Sequence, residues 1–285
     1  MVFACISKIK VMKNILAAIT LAALFSVSAC KKSETSGTSS ATENSKPGTF
    51  RTDSVAINDS VKLADSLTVQ YSAKLLVFPS LQDKTLLDSI YFNRKVLKDF
   101  SQKGLQAYLE KDKNGYFDKL RKESKEYLSD IRFGEKWYTD TSMHLKSVNN
   151  DFMHIQYMWG SYEGGAHDNY GFSERVFDLK NNKKLELKDI TTMPAGNLEA
   201  LLMKNINKIN SGTTDNKGQV NNSEMLLVEV IPATDNFYFD DKNLYFHYSP
   251  YEIAAFAAGD ITIPVSWQEL DKTLTPAFRE RMKFK

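Results

Sequence analysis

Tyr162-Glu163-Gly164-Gly165-Ala166-His167-Asp168-Asn169-Tyr170 joins two runs of alternating polarity, 152–162 before it and 170–179 after it. Strand-like runs on either side of Gly164-Gly165 predict a hairpin, because glycine reaches positive φ without a Cβ clash. The loop also carries a carboxylate, an imidazole, an aspartate and an asparagine between Glu163 and Asn169. Those groups either form a chemical site or shape the turn through side-chain-to-backbone hydrogen bonds, with His167 packing over the glycines.

Upstream of this hairpin, Trp137, Thr139, Thr141, Met143 and Leu145 alternate with Tyr138, Asp140, Ser142, His144 and Lys146, and Asn149-Asn150-Asp151 forms a turn. With the two runs around the Gly-Gly loop this strand makes a three-stranded meander, followed by a turn at Asn181-Asn182-Lys183-Lys184. A further strand is expected from Ser66 to Phe78, stopped by Pro79. Between them, residues 83–132 switch to three- and four-residue spacing (Leu86, Leu87, Ile90, then Leu105, Tyr108, Leu109), which predicts helices broken at Lys113-Asn114-Gly115.

Downstream, Asn197 is placed to cap a helix carrying Leu198, Leu201, Leu202, Ile206 and Ile209. Residues 211–222 read as a polar, mobile loop. Phe237–Phe239 and Leu244–Tyr248 read as a hairpin around Asp240-Asp241-Lys242-Asn243. Ile261, Ile263 and Val265 form a last strand, and Ser266-Trp267-Gln268-Glu269 has capping-box spacing. Strands and helices come in blocks, so the class is α+β: a largely antiparallel sheet with packed helices in two closely associated subdomains.

The chain has 285 residues and a formal charge of +2. Its first 29 residues hold Lys8, Lys10 and Lys13 and no acid, so the remainder carries 34 basic against 35 acidic residues. Near-neutrality argues against a nucleic-acid partner, which needs a basic stripe to displace counterions. Lys10 and Lys13 precede the apolar run 15–27, too short to span a bilayer. Met12 is an alternative start. The run ends Val27-Ser28-Ala29-Cys30, which resembles a bacterial lipobox with Cys30 as the lipidated residue; a plain cleavage site with an incidental cysteine is the alternative. Lys31 differs from the aspartate that commonly retains bacterial lipoproteins in the inner membrane, so a lipid anchor in the outer membrane of the cell envelope is expected. After processing, Cys30 is the only cysteine, which leaves no intrachain disulfide and no thiolate metal site.

Three blocks resemble a pair of bacterial envelope domains found in the extracellular part of the RsiV anti-sigma factor and ahead of the catalytic domain in PdaC-type polysaccharide deacetylases. They are 162–167, then 177–180 with Leu185 and 187–190, and 244–254 with 257–259 and 263–265. The resemblance implies an extracytoplasmic binding or sensing module, since the RsiV ectodomain is a receptor for lysozyme. RsiV also has a cytoplasmic sigma-binding segment and a transmembrane helix, and neither is read here, so anti-sigma activity is not expected. The expected organisation is a signal peptide at 1–29, a flexible tether at 30–52, an N-terminal subdomain at 53–165 and a C-terminal RsiV-like subdomain at 166–285.

Glu163, Gly164, Gly165, His167, Asp168 and Tyr251 are the candidate ligand-binding residues. A non-enzymatic module is expected, met by a lysozyme-like protein or a peptidoglycan-type ligand. The competing reading is a glycan-acting envelope enzyme with Glu163, His167 or Asp168 as acid–base groups. No cofactor is expected, and no catalytic or metal residue is assigned. The four histidines His144, His154, His167 and His247 lack zincin spacing. Phe239-Asp240-Asp241 is similar to the Phe-Asp-Asp of the deacetylases, but Lys242 follows and no His-x-x-x-His pair exists, so a hairpin turn is the reading. Trp159, Tyr162, Tyr170, Tyr245, Tyr248, Tyr251 and Phe256 either fill a sheet face or form a sugar-stacking surface.

Overall fold

Period-two alternation becomes one long sheet. The computed structural model describes residues 50–126, 128, 131 and 134–284. Strands β1 (Asp53–Ala64) and β2 (Leu67–Val77) form an antiparallel hairpin. Helices α1 (Lys84–Ile90) and α2 (Gln102–Glu123) follow, started by Asp83 and Ser101, whose side chains accept from the Leu86 and Gly104 N–H groups. Strands β3 (Glu135–Asn149), β4 (Phe152–Tyr162) and β5 (Asn169–Asp178) form the predicted meander, and β6 (Lys183–Lys184) closes a six-stranded sheet in the order β1-β2-β3-β4-β5-β6. The β3–β4 turn places Asn150 and Asp151 at positive φ, which Asn and Asp tolerate in such hairpins.

The second half has α3 (Leu187–Ile190), α4 (Ala195–Asn205), a small ribbon of β7 (Thr214–Asp215) and β8 (Gly218–Gln219), and a three-stranded sheet in the order β11-β10-β9. Its members are β9 (Phe237–Phe239), β10 (Asn243–Tyr248) and β11 (Ile261–Ser266). Helices α5 (Trp267–Leu270) and α6 (Pro276–Met282) end the chain, and the expected Ser266–Glu269 capping box is formed. The class is α+β.

Several expectations are corrected. β1 was not foreseen, although Val55, Ile57, Val61 and Leu63 fall at even spacing; Asp59 interrupts that face, and only Val55 and Ile57 are buried, as an edge strand permits. β2 and β3 pair in parallel, since α1 and α2 carry the chain back between them, so one crossover exists where only blocks were read. α2 runs unbroken through Lys113-Asn114-Gly115. The N-cap of α4 is Pro194, and Asn197 already lies in the first turn. Part of the loop expected to be mobile forms the β7–β8 ribbon, where Thr213 Oγ1 donates to the Ala257 carbonyl at 2.8 Å. Phe50, counted within the tether, packs against Phe78 with ring centroids 6.1 Å apart.

Two cores flank β4 and β5. Met153, Ile155 and Tyr157 of β4 and Phe177 of β5 point to the core under α1 and α2, with Leu86, Ile90, Leu105 and Leu109. Their neighbours Phe152 and Val176 point the other way, to Leu198, Leu202, Phe237, Phe246 and Ile263. A strand buried on both faces must be apolar at consecutive positions, as Phe152-Met153 and Val176-Phe177 are.

Candidate binding site

The Gly-Gly loop is held by its neighbours. Gly164 and Gly165 take φ of +92° and +114°, a region where a side chain would be strained. The Tyr162 hydroxyl donates to the Gly165 carbonyl at 3.1 Å, and the Tyr138 hydroxyl donates to Asp168 Oδ2 at 2.9 Å. His167 Nδ1 lies 2.7 Å from the Asp168 carbonyl and therefore carries the proton. Its Nε2 is left to face the Tyr251 hydroxyl at 3.3 Å. The His167 ring does not pack over the glycines. It stacks on Phe256, with centroids 4.1 Å apart and planes at 19°.

The loop therefore meets the 250–256 segment, and two of the three resemblance blocks become neighbours in space. Tyr251 is the exposed member of this rim, 56% accessible, and it is a non-glycine residue at φ +68°. Such a conformation persists only where surrounding contacts impose it. Here the Tyr251 N–H donates to the Ala254 carbonyl at 3.2 Å, and Glu252 Oε2 accepts from the Ser249 N–H at 2.8 Å.

Glu163, His167 and Asp168 do not converge. Asp168 is turned to Tyr138 and His167 to Phe256. Glu163 faces the opposite side, beside Tyr116, whose phenol is pushed up first by burial and then by this carboxylate. All three residues are exposed, and none of them lines a described cavity. The arrangement is an exposed rim, and these three side chains assemble no acid–base pair in it.

Beneath the rim lies a charge network that the sequence reading missed. The buried Glu174 carboxylate receives His154 Nε2 at 2.6 Å, His247 Nδ1 at 2.8 Å and Gln156 Nε2 at 2.7 Å. His247 reaches Asp260 with its other nitrogen at 3.0 Å. Burial alone would raise the Glu174 carboxyl, but the hydrogen bonds from His154, His247 and Gln156 outweigh it and bring it down to about 2. Burial likewise opposes the charged His247, yet Asp260 and Glu174 push it up to about 9. Both His247 nitrogens face carboxylates, so the ring is an imidazolium at neutral pH. His154 stacks on Tyr238 at 4.9 Å and His247 on Phe172 at 4.9 Å, which fixes both rings. One signal was present in the sequence: Glu174 shares a period-two face with the apolar Phe172 and Val176. An acid on such a face needs a partner.

The outer edge of β5 is also closed by side chains. β6 pairs only with Phe177 and Asp178. Further along, Asn236 accepts from the Glu174 N–H and donates to the Phe172 carbonyl at 3.2 Å and the His247 carbonyl at 2.7 Å. Ser249 Oγ accepts from the Phe172 N–H at 3.0 Å. These two residues do for β5 what a neighbouring strand would do, and they tie it to β10.

The remaining candidates take structural places. Asp240 Oδ1 accepts from the Lys242 and Asn243 N–H groups at 2.7 and 2.8 Å, and Oδ2 accepts from the Tyr245 hydroxyl at 2.9 Å, so the Phe-Asp-Asp stretch is a turn. Among the described residues, no three His, Cys, Asp or Glu side chains are grouped to hold a metal ion. Tyr248 is buried and Tyr245 stacks on Tyr238 at 4.8 Å. Trp159 is 47% accessible and lies flat on Gly171. The signal run and Cys30 lie outside the described residues, among which no helix is long and apolar enough to cross a membrane.

A six-stranded sheet between a helical layer and a smaller three-stranded sheet defines an α+β fold. Residues 184–268, from the end of β6 into α5, match the model of DUF3298, a family described as of unknown function. A member of the DUF3298 family from Bacteroides fragilis NCTC 9343 has a similar crystal structure. It is 21% identical over 82% of this chain and 98% of its own, with a TM-score of 0.66. A DUF3298 family protein from Pseudomonas aeruginosa PAO1 is 14% identical over 81% of this chain and 96% of its own, with a TM-score of 0.51. At these identities the likeness is one of fold. No curated protein matches. The matched region contains Tyr251 and Phe256 but not the Gly-Gly loop that packs on them.

Proposed function

We propose that this chain is an RsiV-like binding module of the bacterial envelope, lipid-anchored at Cys30, that meets a lysozyme-like protein or a cell-wall glycan with the rim of the Gly-Gly loop and Tyr251. The carrying observation is the contact of His167 with Phe256 and Tyr251, which joins two distant loops into one exposed aromatic surface. Exposed aromatics on a supported loop are the usual anchors of a binding surface. The divergence of Glu163, His167 and Asp168 favours contact over turnover.

The mature protein is assayed for binding to lysozyme and to soluble peptidoglycan fragments. His167→Ala and Tyr251→Ala should each weaken binding by about tenfold or more, the loss of one interface anchor, with the melting temperature retained. Failure to bind either ligand, together with turnover of a glycan, refutes the reading. The anchor is tested separately: Cys30→Ser should abolish palmitate labelling and release the protein from the membrane fraction.

A further inference from the structure

The sheet face under α2 is covered unevenly. A groove of about 410 Å³ runs between α2 and β3, walled by Tyr71, Val96, Tyr108, Asp112, Tyr116 and Thr141. Val96 is 73% accessible at its edge, an apolar side chain left in water.

Two features make this a built site. The first is Gly115. It lies inside α2, where glycine is the least favourable residue after proline. Nothing stands within 4 Å of a Cβ added there, so no packing demand explains the glycine. Gly115 lines the groove, and a large side chain at that position would narrow it. The second is a fixed polar set. The Tyr71 hydroxyl donates to Asp112 Oδ2 at 2.8 Å, and Arg94 donates to Thr141 Oγ1 at 3.2 Å while standing 3.7 Å from the same Asp112 oxygen. The Arg94 guanidinium also lies 5.4 Å from the Tyr108 ring centroid.

Flat phenol faces beside a held carboxylate and hydroxyls suit a sugar ring, whose C–H face is apolar and whose edge is hydroxylated. The volume falls in the range of small-ligand sites. Asp112 is faced by Arg94 and Lys119 by Glu123 at 3.6 Å, so Lys111 is the groove-wall residue that supplies positive charge. We infer that the groove between α2 and β3 binds a short oligosaccharide, with Tyr108 and Tyr116 as the stacking platform, Asp112 as the hydroxyl acceptor, and a preference for carboxylate-bearing sugars set by Lys111. This site is separate from the His167–Tyr251 rim and does not rest on it.

The experiment titrates the full mature protein with two probes, a neutral N-acetylglucosamine tetramer and a tetramer of the same length bearing carboxylates. Both should bind, the acidic one more tightly. Gly115→Leu should weaken both by about tenfold or more, the loss expected when a filled pocket is blocked. Its melting temperature should stay equal or rise, because leucine is a better helix former than glycine. Asp112→Asn should weaken both probes, and His167→Ala should change neither. Absence of binding to both tetramers at millimolar concentration overturns the inference, as does unchanged affinity in Gly115→Leu. Binding lost in His167→Ala but kept in Gly115→Leu assigns the sugar to the rim and also overturns it.

Discussion

Replacing Glu174 by alanine tests whether the buried network holds the two sheets together. In the native protein this carboxylate, contributed by β5, faces His154 on β4 and His247 on β10. Its displacement from 4.5 to about 2 corresponds to about 3 kcal/mol of folded-state preference for the ionised form, at roughly 1.4 kcal/mol per unit. Removal also leaves the His247 imidazolium buried with only the half-exposed Asp260 opposite it, and breaking a buried pair this way costs about 3–5 kcal/mol. Against a total stability of about 5–15 kcal/mol, Glu174→Ala should lose about 3–4 kcal/mol. Equilibrium urea unfolding, followed by far-ultraviolet circular dichroism and tryptophan fluorescence, should show the midpoint falling by about 1–2 M for slopes near 2 kcal/mol/M. The pH dependence adds a second reading. Glu174 is lowered on folding, so its contribution is present above about 4.5 and lost as pH falls toward about 2. His247 is raised, so its contribution is present below about 6.5 and lost as pH rises through about 9. Stability should therefore peak between these limits, and Glu174→Gln should flatten the acid limb. A loss under about 1 kcal/mol at pH 6, or an unaltered acid limb, would refute the reasoning.

Asn236→Ala strips hydrogen bonds from the β5 edge and from the His247 carbonyl, and should lower stability by about 2–3 kcal/mol with faster amide exchange at Phe172 and Glu174. Hydrogen-exchange mass spectrometry checks it, and unchanged protection there would count against the stapling role. Tyr251→Gly removes a side chain from φ +68°, so chemical denaturation should show unchanged stability or a gain of up to about 1 kcal/mol. The same variant should lose binding at the rim, and a net destabilisation would show that the tyrosine is a packing residue. In Gly171→Ala the new Cβ would fall 2.7 Å from Trp159 Nε1. The half-exposed indole should swing out at a cost below about 1 kcal/mol, with a red-shifted and more quenchable emission. An unchanged spectrum would contradict the contact.

What could be read ahead of the structure was what neighbouring residues specify. The Gly164-Gly165 hairpin, the β3–β4 turn at Asn150-Asp151 and the Ser266–Glu269 capping box each depend on a few adjacent side chains and the backbone they favour. The misreadings are cases where tertiary packing overrode a local signal. Lys113-Asn114-Gly115 looks like a break, but α2 carries through it because Leu109, Phe117 and Leu120 anchor both sides in the core. β1 mixes polar and apolar residues in equal number, and its pairing with β2 supplies the backbone hydrogen bonds that make it a strand.

The sequence by itself determined the α+β class, the central meander, the absence of a histidine pair at zincin spacing, and a loop bearing His167 between two strands. It did so because side-chain periodicity and turn chemistry are properties of adjacent residues. Only the tertiary structure decided that His167 meets Tyr251 across a separation of 84 residues, that Glu174 joins His154 to His247, and that the acidic groups of the Gly-Gly loop face apart. Those facts depend on how the three-stranded sheet docks against β4 and β5, a surface fit between distant segments that no local pattern encodes.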